Sequence, residues 1–159
     1  MPANTLLLTL MATDDKPFSK EIVDANNKLL LEYLEKLKKG TTDFDAVKSI
    51  CNMCNYIYGF NKNKLLSVDI GDDHQAAAKV LAQLDSRKPW IITEQEALAI
   101  EQMIFYWKDI LTESSENLVR EIQHEIHFKS PQAKQLRSIE RRMVHRRKAT
   151  KPPFSRKKK

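Results

Sequence analysis

From Ala97 onward the chain repeats apolar residues at helical spacing: Ala97, Ile100, Ile104, Trp107, Leu111, then Leu118, Ile122 and Ile126. Steps of three and four put these side chains on one face of an α-helix, because about 3.6 residues make a turn. The stretch before it supplies a start signal. Thr93 and Glu96 have capping-box spacing, and Ile92 and Ala97 have the spacing of a hydrophobic staple. Residues 93–128 are therefore predicted to form one long helix, the spine of the core. Met103, Tyr106 and Ile110 give it a second apolar edge. Residues 112–117 hold no large apolar side chain, so a bend or break is allowed there.

The rest of the chain follows the same period. Residues 17–39 read as a helix with Ile22, Asn26, Leu29, Tyr33 and Leu37 on its stripe, widened by Val23, Leu30 and Leu34. Pro17 or Ser19 starts it. Lys36, Lys38 and Lys39 suit its negative end, and Gly40 suits the left-handed residue beyond. Thr42 is the expected cap of a second helix carrying Phe44, Val47, Cys51, Cys54 and Tyr58, flanked by Ile50 and Ile57 and ended by Gly59. The short connection favours an antiparallel hairpin. Leu65, Leu66, Val68 and Ile70 leave an extended segment or a helical turn open. Asp72 and Asp73 are expected to cap a short helix over 74–84 with Ala76, Ala77, Val80, Leu81 and Leu84 as its stripe. Leu6, Leu7, Leu8 and Leu10 near the start are too few for periodicity to assign.

With only three glycines and six prolines, the chain lacks the turn formers that a many-stranded sandwich or barrel needs. The expected fold class is all-α: a compact bundle of about four to five helices, with a basic C-terminal helix and a disordered basic tail. Two parts are expected, an acidic helical body over 1–128 and a basic segment over 129–159.

Charge separates them. Residues 1–128 carry fourteen Lys and Arg against twenty Asp and Glu; residues 129–159 carry thirteen against Glu140 alone. Ser130-Pro131 reads as a cap and first turn, opening a helix over about 131–147 with Leu136, Ile139, Met143 and Val144 on a narrow apolar stripe. The candidate phosphate-binding residues are Lys134, Arg137, Arg141, Arg142, Arg146, Arg147, Lys148, Arg156, Lys157, Lys158 and Lys159. A solvated helix face normally mixes signs, and this segment does not. Its self-repulsion is relieved by an anionic partner. The apolar stripe is free to dock on the body while the arginines face outward.

Candidate chemistry elsewhere resolves into packing. Cys51-Asn52-Met53-Cys54 is a CxxC, but it lies in mid-helix on an apolar stripe and has no second cysteine pair for zinc. It reads as core. His74, His124, His127 and His145 lack finger-like spacing, and His124 with His127 are three apart rather than the four of HExxH. The cluster Glu121, His124, Glu125 and His127 reads as a solvated face. Trp107 and Trp90 read as packing residues, Trp90 with a partner site as its alternative. No phosphate loop and no GxSxG is present. Neither a metal nor another cofactor is implied.

The expectation is a non-enzymatic accessory or regulatory protein binding DNA or RNA. The alternative is a protein-interaction module whose body binds a partner, or a second copy as a homodimer, with the basic segment steering it onto an acidic or ribonucleoprotein surface. A fold-back of the basic segment onto its own acidic body is a further possibility. The run at Leu6 is short and has no basic residue before it, unlike a signal peptide, and no stretch has the ~20 apolar residues of a membrane span. Cytoplasmic localisation is expected, or nuclear in a eukaryotic source.

Overall fold

The computed structural model describes residues 16–40, 43–84, 86–87, 89–129, 134, 138–139 and 141–142. Five helices form the body: α1 Lys20–Lys38, α2 Phe44–Lys62, α3 Gly71–Leu84, α4 Glu94–Glu113 and α5 Glu116–Lys129. Among the described residues there is no strand, only an isolated antiparallel bridge between Pro17 and Ser115. The expected all-α bundle is what the chain forms.

The centre of the bundle is α2, not the long C-terminal stretch. It packs against all four other helices, while α1 and α3 also pack against α4. Val47, Ile50, Cys51, Met53, Cys54, Ile57 and Phe60 are all buried, so α2 is apolar around most of its circumference. A helix covered on several sides needs that wide distribution, whereas a one-sided stripe suits a peripheral helix. Phe44 and Tyr58, which the spacing placed on the stripe, are half-buried.

The single helix expected over 93–128 is two helices. Ser114 leaves helical geometry, with φ −96° and ψ 148°. Ser115 then caps α5: its Oγ accepts from the Leu118 N–H at 3.1 Å. The Glu116 N–H donates to the Lys16 carbonyl at 3.0 Å. Both serines are buried. Serine competes for backbone hydrogen bonds and so favours a cap over a helix interior.

The other boundaries follow local chemistry. Ser19 caps α1, accepting from Ile22 N–H at 3.3 Å. Gly40 follows α1 at φ +81°. Asp43, not Thr42, caps α2: Oδ1 accepts from Ala46 N–H at 3.1 Å, and Oδ2 takes the Lys36 ammonium at 2.8 Å. An ionised carboxylate serves a helix N-terminus at least as well as a hydroxyl and here also reaches the basic end of α1. Thr42 itself lies outside the described residues.

Gly59 does not end α2, which continues to Lys62. The helix closes instead with the Leu65 N–H on the Phe60 carbonyl and the Lys64 N–H on the Asn61 carbonyl, each at 3.0 Å. This is the Schellman pattern, with Lys64 at φ +57° in the position that glycine usually takes.

Helix α3 begins at Gly71, before the expected start, with Asp72 and Asp73 inside its first turn. Its entry is set by Asp69, whose Oδ1 accepts from Gly71 N–H at 2.8 Å and from Asn61 Nδ2 at 3.1 Å. On its stripe Ala77, Val80, Leu81 and Leu84 are buried and Ala76 is exposed. The segment before α3 is neither strand nor helix. It is an irregular loop that buries Leu65 and Ile70 and leaves Val68 exposed.

On α1 the buried residues are Val23, Leu30, Leu34 and Leu37, whereas Ile22 and Leu29 are exposed. The expected stripe is thus turned by about one residue. Two adjacent helical rows were apolar, and the packing against α2 and α4 selected one. Thr93 caps α4 through the full capping box, with Thr93 Oγ1 accepting from Glu96 N–H and Glu96 Oε1 accepting from Thr93 N–H.

Candidate nucleic-acid interface

Beyond α5 the described residues 134, 138, 139, 141 and 142 are helical. Ile139 is only 2 % exposed and belongs to the same apolar core as Ile122 and Ile126. Lys134, Arg141 and Arg142 are exposed, and Ser138 is half-buried. The Arg142 guanidinium reaches Ser138 Oγ at 3.4 Å. The stretch therefore turns an apolar residue inward and basic residues outward. Arg137, Arg146, Arg147, Lys148, Arg156, Lys157, Lys158 and Lys159, and the expected disordered tail, lie outside the described residues.

Helix α5 carries the stretch to the body. Leu118, Val119, Ile122 and Ile126 are buried, and Ile122 and Ile126 lie against Gly59 of α2. Asn63 Nδ2 donates to the Gly59 carbonyl at 2.8 Å and stands 3.5 Å from Glu125 Oε2. In the cluster of Glu121, His124, Glu125 and His127, Glu121 and His124 are exposed and Glu125 is half-buried; the His127 side chain is outside the described residues. Asn117, Arg120, Glu121 and His124 line a shallow depression of about 460 Å³.

Both cysteines are buried among apolar neighbours. Burial pushes the Cys54 thiol up to about 12, far from thiolate chemistry at neutral pH. Among the described residues no group of three or more His, Cys, Asp or Glu side chains is arranged to hold a metal ion. Trp90 is buried and meets Phe44 edge-on at 5.1 Å, so it closes the core beside the start of α2. Trp107 is buried against Tyr56 at 5.8 Å.

One buried titratable residue was not singled out by sequence. His74 is 2 % exposed, stacks on Tyr58 at 5.3 Å and leaves Nε2 without a hydrogen-bond partner. Burial lowers its pKa, against an opposing hydrogen bond to the Cys54 backbone. The signal was present: His74, Ala77, Leu81 and Leu84 follow at three, four and three. Two exposed apolar residues were missed in the same way. Leu98 and Phe105, seven apart on α4, are 61 % and 59 % exposed. With Leu31 of α1 they line a groove of about 420 Å³.

No protein-family model, curated protein or solved structure matches this chain. Among the described residues no helix is long and apolar enough to cross a membrane.

Proposed function

We propose that this protein is a non-enzymatic nucleic-acid-binding accessory protein that contacts phosphates through residues 129–159. The observation that carries the reading is the segregation of charge, thirteen Lys and Arg against one acid in these residues beside an acidic remainder. The exposure of Lys134, Arg141 and Arg142 around a buried Ile139 supports it. A basic face held on a packed helix presents charge without the full ordering cost of a free chain. Arginine suits the role because its planar fork donates two parallel hydrogen bonds to a phosphate. Binding through the backbone follows from the composition, since Phe154 is the only aromatic in the segment and offers no stacking platform.

The test is a salt titration of the full chain on duplex DNA, single-stranded RNA and structured RNA. With 6–10 phosphates neutralised, affinity falls by about 10³–10⁵ between 50 and 200 mM salt. A full-chain variant with Arg141, Arg142, Arg146 and Arg147 changed to Gln should bind more weakly and show a shallower salt slope, by about one for each phosphate left without its arginine. Equal affinity and equal slope in the two proteins rule the reading out. A preference among the three substrates then assigns DNA or RNA.

A further inference from the structure

We propose that residues 6–11 of this chain occupy the groove between α1 and α4, seating their leucines on Leu31, Leu98 and Phe105. Leu98 and Phe105 expose most of their surface, one above the other on α4, with Leu31 across the groove. Glu101 and Lys108 bound the apolar strip on α4. The face is short and bordered by charge. It matches a peptide of one or two turns better than a subunit surface, which needs about 800 Å² and 20–30 residues per partner.

The exit point of the N-terminal residues selects this occupant. The Lys16 carbonyl accepts from Glu116 N–H, and Pro17 pairs with Ser115, so the chain before Lys16 starts at the α4–α5 junction. At 1.5 Å per residue, Phe105 lies about 15 Å and Leu98 about 25 Å back along the axis of α4 from Ser115. Leu10 is six residues from Lys16 and Leu6 is ten, which reach at most ~20 Å and ~35 Å. The leucines thus span the distances at which the exposed residues stand. The same run, Leu6-Leu7-Leu8-Thr9-Leu10-Met11, has five apolar residues in six.

Charge separates this groove from its neighbour. Lys108 stands at the end of the groove nearest the exit, close enough for its charge to act on Asp24 of α1. Asp14 and Asp15, immediately before Lys16, are complementary to it. The second groove near the junction, of about 410 Å³, is lined by Leu65, Leu66 and Val68 together with Asp109 and Glu113. An acidic linker is repelled there. The basic C-terminal residues are the weaker candidate for the α1–α4 groove, because Ile139 of their apolar stripe is already buried in the core.

Hydroxyl-radical footprinting of the full chain, read residue by residue by mass spectrometry, tests the proposal. Phe105 and Leu98 should label several-fold more slowly in the native chain than in the full-length L7D/L10D variant, at unchanged helicity by circular dichroism. Equal labelling overturns it. Protection that disappears on dilution, together with a fall from dimer to monomer mass in light scattering, also overturns it and assigns the groove to a second copy. Should L7D/L10D lose helicity, full-length F105E gives the reciprocal reading. Chymotrypsin should cut at the leucines of residues 6–10 several-fold faster in F105E than in the native chain, and equal cleavage rejects the proposal.

Discussion

Gly59 of α2 and Ile126 of α5 approach so closely that a Cβ on the glycine would stand 2.4 Å from Ile126 Cγ1. Ile126 Cδ1 and Ile122 Cγ2 would lie at 2.7 and 2.8 Å from the same atom. These are branched, fully packed side chains, so they have little room to withdraw. The helix that leads into the basic segment is therefore held on α2 by a residue with no side chain.

Gly59→Ala should destabilise the protein despite the better helix propensity of alanine. Overpacking a close approach costs about 1–3 kcal/mol, while alanine returns up to about 1 kcal/mol in a helix interior. The urea midpoint should fall in G59A. It should fall less in G59A combined with Ile126→Ala than the two single changes predict, because removing Cγ1 and Cδ1 of the isoleucine makes room.

Lys64→Gly should act in the opposite direction. Lys64 occupies the left-handed region at φ +57°, where a Cβ costs roughly 1–2 kcal/mol. Part of that gain is offset by the greater freedom of glycine in the unfolded chain. A net increase of about 0.5–1 kcal/mol in unfolding free energy is expected, measured by the same denaturation. Two glycine exchanges a few residues apart should thus have opposite signs.

Glu96 links the cap of α4 to the loop before it. Its carboxylate takes two hydrogen bonds from Arg87, one of them at 2.7 Å, and a third from Thr93 N–H at 3.0 Å. The Arg87 hydrogen bonds come first in holding its pKa down to about 2 from an ordinary 4.5. A depressed carboxylate contributes stability that is complete above 4.5 and lost as pH falls from there toward about 2. Glu96→Gln should cost roughly 1–3 kcal/mol at neutral pH, as expected for charge-assisted hydrogen bonds, and should flatten the acid limb of the stability curve. Urea unfolding of both proteins across that range measures it.

His74 should shape a different window. Burial lowers its pKa below the ordinary 6.5, so the unfolded chain takes up a proton that the native chain resists. Stability is then complete above 6.5 and declines as pH falls through 6.5 toward the native pKa. Exchange of His74 for Gln should remove this decline and leave the Glu96 limb at lower pH in place. Denaturation midpoints at mildly acidic pH distinguish the two.

Much of the fold was legible because helical spacing and capping are local. The box at Thr93 and Glu96 and the left-handed Gly40 each depend on residues within a turn or two and formed as read, and Ser19 is the one of the two expected starts that caps α1. The corrections share a physical origin. Ile22 and Val23 both continue apolar rows on α1, and only the position of α2 and α4 decides that Val23 is covered. Gly59 has the composition of a stop signal, yet its meaning comes from Ile126, far along the chain. The basic segment was legible from charge alone. The burial of Ile139 behind Lys134 and Arg141 was a pattern in the sequence, and the core supplied its orientation.

The sequence by itself determined that this chain is helical, that a helix starts after Thr93, and that its positive charge is concentrated after residue 128. Tertiary structure decided which helix is central, which apolar row is covered, and that Leu98 and Phe105 face away from the core. Period and capping are properties of neighbouring residues, set by the 3.6-residue turn and the unpaired groups at helix ends. Burial is a property of pairs of surfaces, and two apolar rows on one helix are equivalent until a partner covers one of them.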